Sequence, residues 1–133
     1  MSSTPPIIVT SLDHERLRSV LGMYGGANVD ALEEELTRAA IVPSTEVKPN
    51  VVTMNSELVY EDVGTGKRRT VRLVYPRDAD VTRSWVSVLA PLGSALLGLQ
   101  VGQEIDWAMP GGARRLRLVE VRYQPEASGH MEL

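Results

Sequence analysis

The chain has 133 residues, 43% of them hydrophobic and 23% charged, with a net charge of −3. That is the profile of one compact globular domain plus an appendage. It has no cysteine, which excludes a disulfide framework and a thiolate metal site and points to a cytoplasmic protein. No apolar run approaches the ~20 residues of a membrane helix, residues 1–6 form no apolar signal-peptide core, and there is no broad basic footprint of a duplex-binding protein.

Phenylalanine is also missing. Core volume must therefore come from Leu, Val, Ile and Met, with Tyr60, Tyr75, Trp85, Trp107 and Tyr123 as the large candidates. The charge is uneven. Six acids and three bases between Thr10 and Ile41 account for the whole imbalance.

Residues 5–9 read as an extended lead-in. Thr10 or Ser11 then caps a helix, with Asp13 and Glu15 in the first turn where the helix dipole favours acids. His14, Leu17 and Leu21 share one face. The run from Gly22 to Ala27 stops this helix, and Asn28 is placed to cap a second. There Val29, Leu32, Leu36 and Ala39 recur at helical spacing along a narrow seam. Pro43 ends it. Two helices joined by a glycine-rich link predict a short antiparallel hairpin.

Ser44 to Asn50 reads as a linker, after which the apolar period changes from helical to alternating. Val52, Met54, Leu58 and Tyr60 share a strand face, and Gly64-Thr65-Gly66 predicts a hairpin turn. Val71, Leu73 and Tyr75 alternate in the next strand. A polar loop covers residues 76–83, and Val86 and Val88 follow in a further strand. A short apolar helix is expected from Pro91 to Leu99, because proline suits the first helical position. A strand over 103–109 and a turn at Pro110-Gly111-Gly112 come next. In the last strand Leu116 and Leu118 point one way while Val119, Val121 and Tyr123 point the other, which predicts a β-bulge. The fold class is α+β: a helical hairpin arm, residues 1–46, then an antiparallel sheet domain with one short helix, residues 47–133.

No residue set announces catalysis, a cofactor or a metal. His14 and His130 have no cysteine or carboxylate at ligand spacing. Gly64-Thr65-Gly66-Lys67 lacks phosphate-loop spacing and sits between strands. Glu33, Glu34 and Glu35 are consecutive, so a helix spreads them by ~100° each. Lys67, Arg68, Arg69 and Arg72, with Arg114, Arg115 and Arg117, form two basic clusters on strands. Two readings stay open for them: a patch for an acidic protein or nucleic-acid phosphate, or protection of edge strands. Met23 and Tyr24 stand among glycines at the hairpin tip, where large side chains suggest a contact point.

Residues 51–56 (VVTMNS), 73–76 (LVYP), 90–98 (APLGSALLG), 110–112 (PGG) and 123–127 (YQPEA) resemble the Rnk family, known as regulators of nucleoside diphosphate kinase. The resemblance runs in register over nearly the whole chain. That family is related to the bacterial transcript-cleavage factors GreA and GreB. Their C-terminal domain is FKBP-like and docks at the rim of the RNA polymerase secondary channel, and their long N-terminal coiled coil enters it. The resemblance implies a polymerase-binding, non-enzymatic regulator, monomeric, with Pro91, Leu92 and Gly93 as interface residues and nucleic-acid contact incidental.

Two departures qualify that implication. Gre-type tips carry acids that help hold magnesium, whereas Gly22 to Val29 contains no Asp or Glu. The Gre pattern also has Ser before the proline and Arg after the glycine, where this chain has Ala90 and Ser94. Transcript cleavage is therefore not expected. The FKBP-like relation raises prolyl isomerase activity as well, but that pocket is built from aromatics, which this chain largely lacks.

Overall fold

The computed structural model describes residues 6–109 and 112–130; for Ala27, Asn28 and residues 107–109 it describes the backbone alone. The lead-in becomes strand β1 (Ile8–Thr10), followed directly by α1 (Ser11–Leu21) and α2 (Ala27–Arg38). The chain then returns as β2 (Ala40–Val42), which pairs parallel to β1. These two strands tie the ends of the helical segment together. Neither is legible as a strand in the sequence, because each is three residues long.

Thr10 caps α1 as expected: its Oγ1 accepts from the Asp13 N–H at 3.1 Å. α2 departs from expectation. It begins at Ala27, one residue before Asn28, and its N-cap is Gly26 at φ 117°, with no side-chain cap bond. The helices are 11 and 12 residues long, or roughly 16–18 Å.

A five-stranded sheet follows, in the order β5-β4-β3-β7-β6. Its strands are β3 (Glu57–Asp62), β4 (Arg68–Val74), β5 (Trp85–Ser87), β6 (Glu104–Met109) and β7 (Gly112–Tyr123). The sheet is mixed rather than antiparallel throughout, because β5 runs parallel to β4. The connection explains this. Two short 3-10 turns, Pro76–Asp78 and Val81–Arg83, reverse the chain, and an isolated antiparallel bridge from Asp80 to Trp85 reverses it again. The predicted bulge is present: β3 pairs Val59 with Glu120 but Tyr60 with Leu118, leaving Val119 as the extra residue.

Helix α3 (Pro91–Leu96) is shorter than expected. Gly98, at φ 79°, ends the apolar stretch, and a Cβ there would lie 2.5 Å from that of Ile7. Only glycine lets β1 approach so closely, and the Ile8 N–H donates to the Gly98 carbonyl.

One hydrophobic cluster runs through the molecule. Leu17 and Leu21 of α1 and Leu32 and Leu36 of α2 share it with Leu58, Leu73, Leu96 and Leu118. Leu97 and Leu99 are buried as expected, and Ile105 packs half-buried against them. The Trp107 side chain and the turn at Pro110-Gly111 lie outside the described residues. Among the described residues no helix is long and apolar enough to cross a membrane.

Candidate functional site

Three places carry the residues singled out by sequence: the turn into α3, the tip between α1 and α2, and the outer face of the sheet.

The α3 turn is built from its hydrogen bonds. Ala90 N–H donates to the Ser87 carbonyl, Leu89 N–H donates to Ser87 Oγ at 3.0 Å, and Ser94 N–H donates to the Ala90 carbonyl at 2.9 Å. Pro91 at the first helical position loses no bond by lacking an N–H. Pro91 is exposed and Leu92 half-buried, with part of Leu92 packed on the core. Gly93 stands deeper than Pro91 and Leu92. It is buried, and a Cβ there would overlap the Ser87 carbonyl oxygen. Its part is to let α3 pack onto the end of β5, which fixes where Pro91 and Leu92 stand.

At the tip, Met23 is 77% exposed and Tyr24 48% exposed. The loop is held to α1 by Met23 N–H on the Val20 carbonyl and Tyr24 N–H on the Leu21 carbonyl. No carboxylate lies between Gly22 and Val29.

Arg68, Arg114, Arg115 and Arg117 are each ion-paired across strands, while Lys67 and Arg69 are exposed. Arg117 lies opposite Glu104 on one side and Glu61 on the other, and Glu61 in turn lies opposite Arg68. The row Glu104–Arg117–Glu61–Arg68 thus alternates in sign across four strands. Its ion pairs measure 3.1, 3.7 and 2.9 Å. Arg115 joins Glu104 at 2.6 Å and Asp106 at 2.7 Å, and Arg114 joins Asp62 at 2.6 Å. Arg115 and then Arg117 hold the Glu104 carboxyl below the usual range, and Arg114 does the same for Asp62. Edge protection fails, because β4 and β7 are inner strands. These arginines tie strands together.

Sequence reasoning missed two constellations. The Arg72 guanidinium lies over Trp85 at 5.5 Å and Tyr123 at 5.0 Å, within a second cross-strand row, Trp85–Arg72–Glu57–Tyr123. Only strand register reveals it. The other is Asp13. It is buried against the sheet domain and accepts the Met54 N–H on Oδ2 at 3.0 Å. Nearby, the Thr53 hydroxyl donates to Glu126 at 2.7 Å. Burial pushes the Asp13 carboxyl up to about 7. Its spacing of four from Leu17, and of four again to Leu21, is the signal that places it on the buried face.

Neither histidine joins a reactive set. His14 Nε2 lies 3.1 Å from the Leu36 carbonyl, bridging the two helices. His130 Nδ1 lies 2.8 Å from the Tyr123 hydroxyl.

Residues 43–123 match the family model described as "Transcription elongation factor, GreA/GreB, C-term". Residues 5–42 match the one described as "Rnk N-terminus". The chain belongs to the Rnk family, within the wider GreA/GreB group. An Escherichia coli K12 protein named regulator of nucleoside diphosphate kinase is 44% identical over 131 residues, 96% of each chain. A GreA elongation factor from Syntrophobacter fumaroxidans is 31% identical over 115 residues, 86% of this chain and 73% of that one. Among solved structures, a prokaryotic GreA/GreB elongation factor from Nitrosomonas europaea aligns with TM-score 0.78 and 45% identity. It covers 90% of this chain and 100% of that one. This Rnk-family chain therefore combines a GreA/GreB-like mixed fold with a carboxylate-free tip.

Proposed function

We propose that this chain is a non-enzymatic, RNA polymerase-binding transcription regulator. It docks at the rim of the secondary channel and competes there with Gre-type factors. The observation that carries the reading is a GreA/GreB-like fold whose helical tip, Gly22 to Val29, has no Asp or Glu. Magnesium demands oxygen ligands in near-octahedral geometry, carboxylates above all. Met23 and Tyr24 offer no carboxylate. The tip therefore occupies the channel mouth without supplying a catalytic ion.

Within this reading residues 1–46 are a helical hairpin arm and residues 47–133 an FKBP-like domain, and the protein acts as a monomer. Pro91 and Leu92 supply the apolar contact, since an exposed proline beside a half-buried leucine loses little entropy on binding. Gly93 sets their position from beneath.

The test is capture of purified core polymerase by the immobilised protein. Micromolar binding is expected, with Leu92→Asp weakening it at least about tenfold, as burying an unpaired charge would. Absence of binding at micromolar concentration would sink the proposal. Added GreA should displace the protein, and stalled complexes should show no transcript cleavage beyond background. Cleavage that depends on this protein would remove the competitor reading.

The Escherichia coli relative's name favours a second reading, direct binding to nucleoside diphosphate kinase. Co-elution of the two purified proteins, with no capture of polymerase, would put it first.

A further inference from the structure

A groove of about 670 Å3 runs between α2, α3 and the edge of β6. Its floor is apolar, with Ile7, Leu32, Ala95, Leu99 and Ile105 contributing. Three properties of its walls point to one kind of occupant. Among the described residues β6 is an edge strand, with β7 as its one pairing neighbour. In antiparallel pairing alternate residues turn their N–H and C=O away from the neighbour, so β6 offers an unused ladder beside the groove. The groove's charged lining is Glu35, Glu104 and Asp106 against the single base Arg115, and α2 as a whole is acidic. Finally, Glu35 lines the groove, and its Oε2 is buried with no hydrogen-bond partner among the described residues. A buried acceptor left unbonded costs free energy that a donor would recover.

We propose that this groove docks an extended basic segment of a partner protein. The segment adds as a strand to the free edge of β6 and places a Lys or Arg side chain on Glu35. Strand addition takes affinity from the main chain and specificity from alternate side chains. Apolar side chains of the segment would meet Leu99 and Ile105, while the basic one supplies the donor Glu35 lacks. A second copy of this chain fits poorly, because pairing β6 with β6 brings two acidic α2 walls together. Nucleic acid is excluded by the same sign of charge. The site does not depend on the polymerase reading, and polymerase need not be the partner.

The experiment uses the full-length protein and a short fluorescein-labelled peptide with alternating inward and outward positions, whose inward positions are valine except for one arginine, with a counterpart carrying glutamate at that position as control. Saturable anisotropy is expected for the basic peptide alone. Glu35→Gln should weaken it roughly tenfold, the worth of one charge-assisted hydrogen bond. Glu35→Lys should abolish it, and Glu33→Gln on the exposed side of the same helix should leave it unchanged. Backbone amide shifts should move along Glu104, Ile105 and Asp106. The proposal is overturned by absence of saturable binding, by equal loss in Glu33→Gln and Glu35→Gln, or by amide shifts that bypass β6.

Discussion

Asp13 is one point where the helical segment is tied to the sheet domain, and its charge state should affect stability. Its carboxyl accepts the Met54 N–H yet is buried, and burial pushes its pKa from 3.8 to about 7. In the unfolded chain it titrates near 3.8. Between those values the folded state holds a proton that the unfolded state has lost. Stability from this group is therefore complete below pH ~4, falls as pH rises, and levels off above pH ~7. A gap of about three pKa units corresponds to ~4 kcal/mol, at 1.36 kcal/mol per unit. Asp13→Asn keeps an oxygen for Met54 but cannot ionise. In urea unfolding from about pH 4 to about pH 8, wild type should lose ~4 kcal/mol relative to Asp13→Asn, with the variant the more stable at alkaline pH. Other groups titrate equally in both proteins and cancel. A difference independent of pH would refute the reasoning. So would one that grows in favour of wild type as pH rises, since the Met54 N–H and Arg16 would then outweigh burial.

Gly93→Ala should destabilise the fold by about 2–3 kcal/mol, because the added methyl meets backbone rather than a flexible side chain. Gly25→Ala, where a Cβ meets nothing, should change the urea midpoint little. Arg117→Ala should raise the Glu104 pKa in an NMR titration, since Arg117 is one of the two cations holding it down. Its effect on stability should be small and should fade in high salt, as for exposed ion pairs.

Legibility followed the range of each interaction. Thr10 as a cap, the Leu17–Leu21 face, the hairpin at Gly64–Gly66 and the bulge at Val119 depend on neighbours a few residues away, and the sequence pattern announces them. The parallel placement of β5 was not legible, because it depends on how two 3-10 turns stack. The pairing of β1 with β2 was not legible either. It joins Ile8 to Ala40 across the whole helical segment and leaves no periodicity in so short a strand. Asp13 sits between these cases. Helical spacing placed it beside Leu17 and Leu21, but an acid in a first turn has a sufficient local explanation in the dipole, and that explanation concealed its burial.

The arginines show the same limit for function. Counted along the chain, Arg114, Arg115 and Arg117 form a basic cluster within one strand. Counted across the sheet, each meets acids on a neighbouring strand, Asp62, Glu61, Glu104 and Asp106. Electrostatic potential depends on the second count, since neighbouring strands lie only ~4.8 Å apart. The outer face is therefore a neutral, laced surface. The unbalanced charge lies on α2, where acids outnumber bases and Glu35 keeps a buried oxygen unbonded. A partner that reads this molecule by charge should come to α2 and the edge of β6, and neutralising Arg114 should not turn it away.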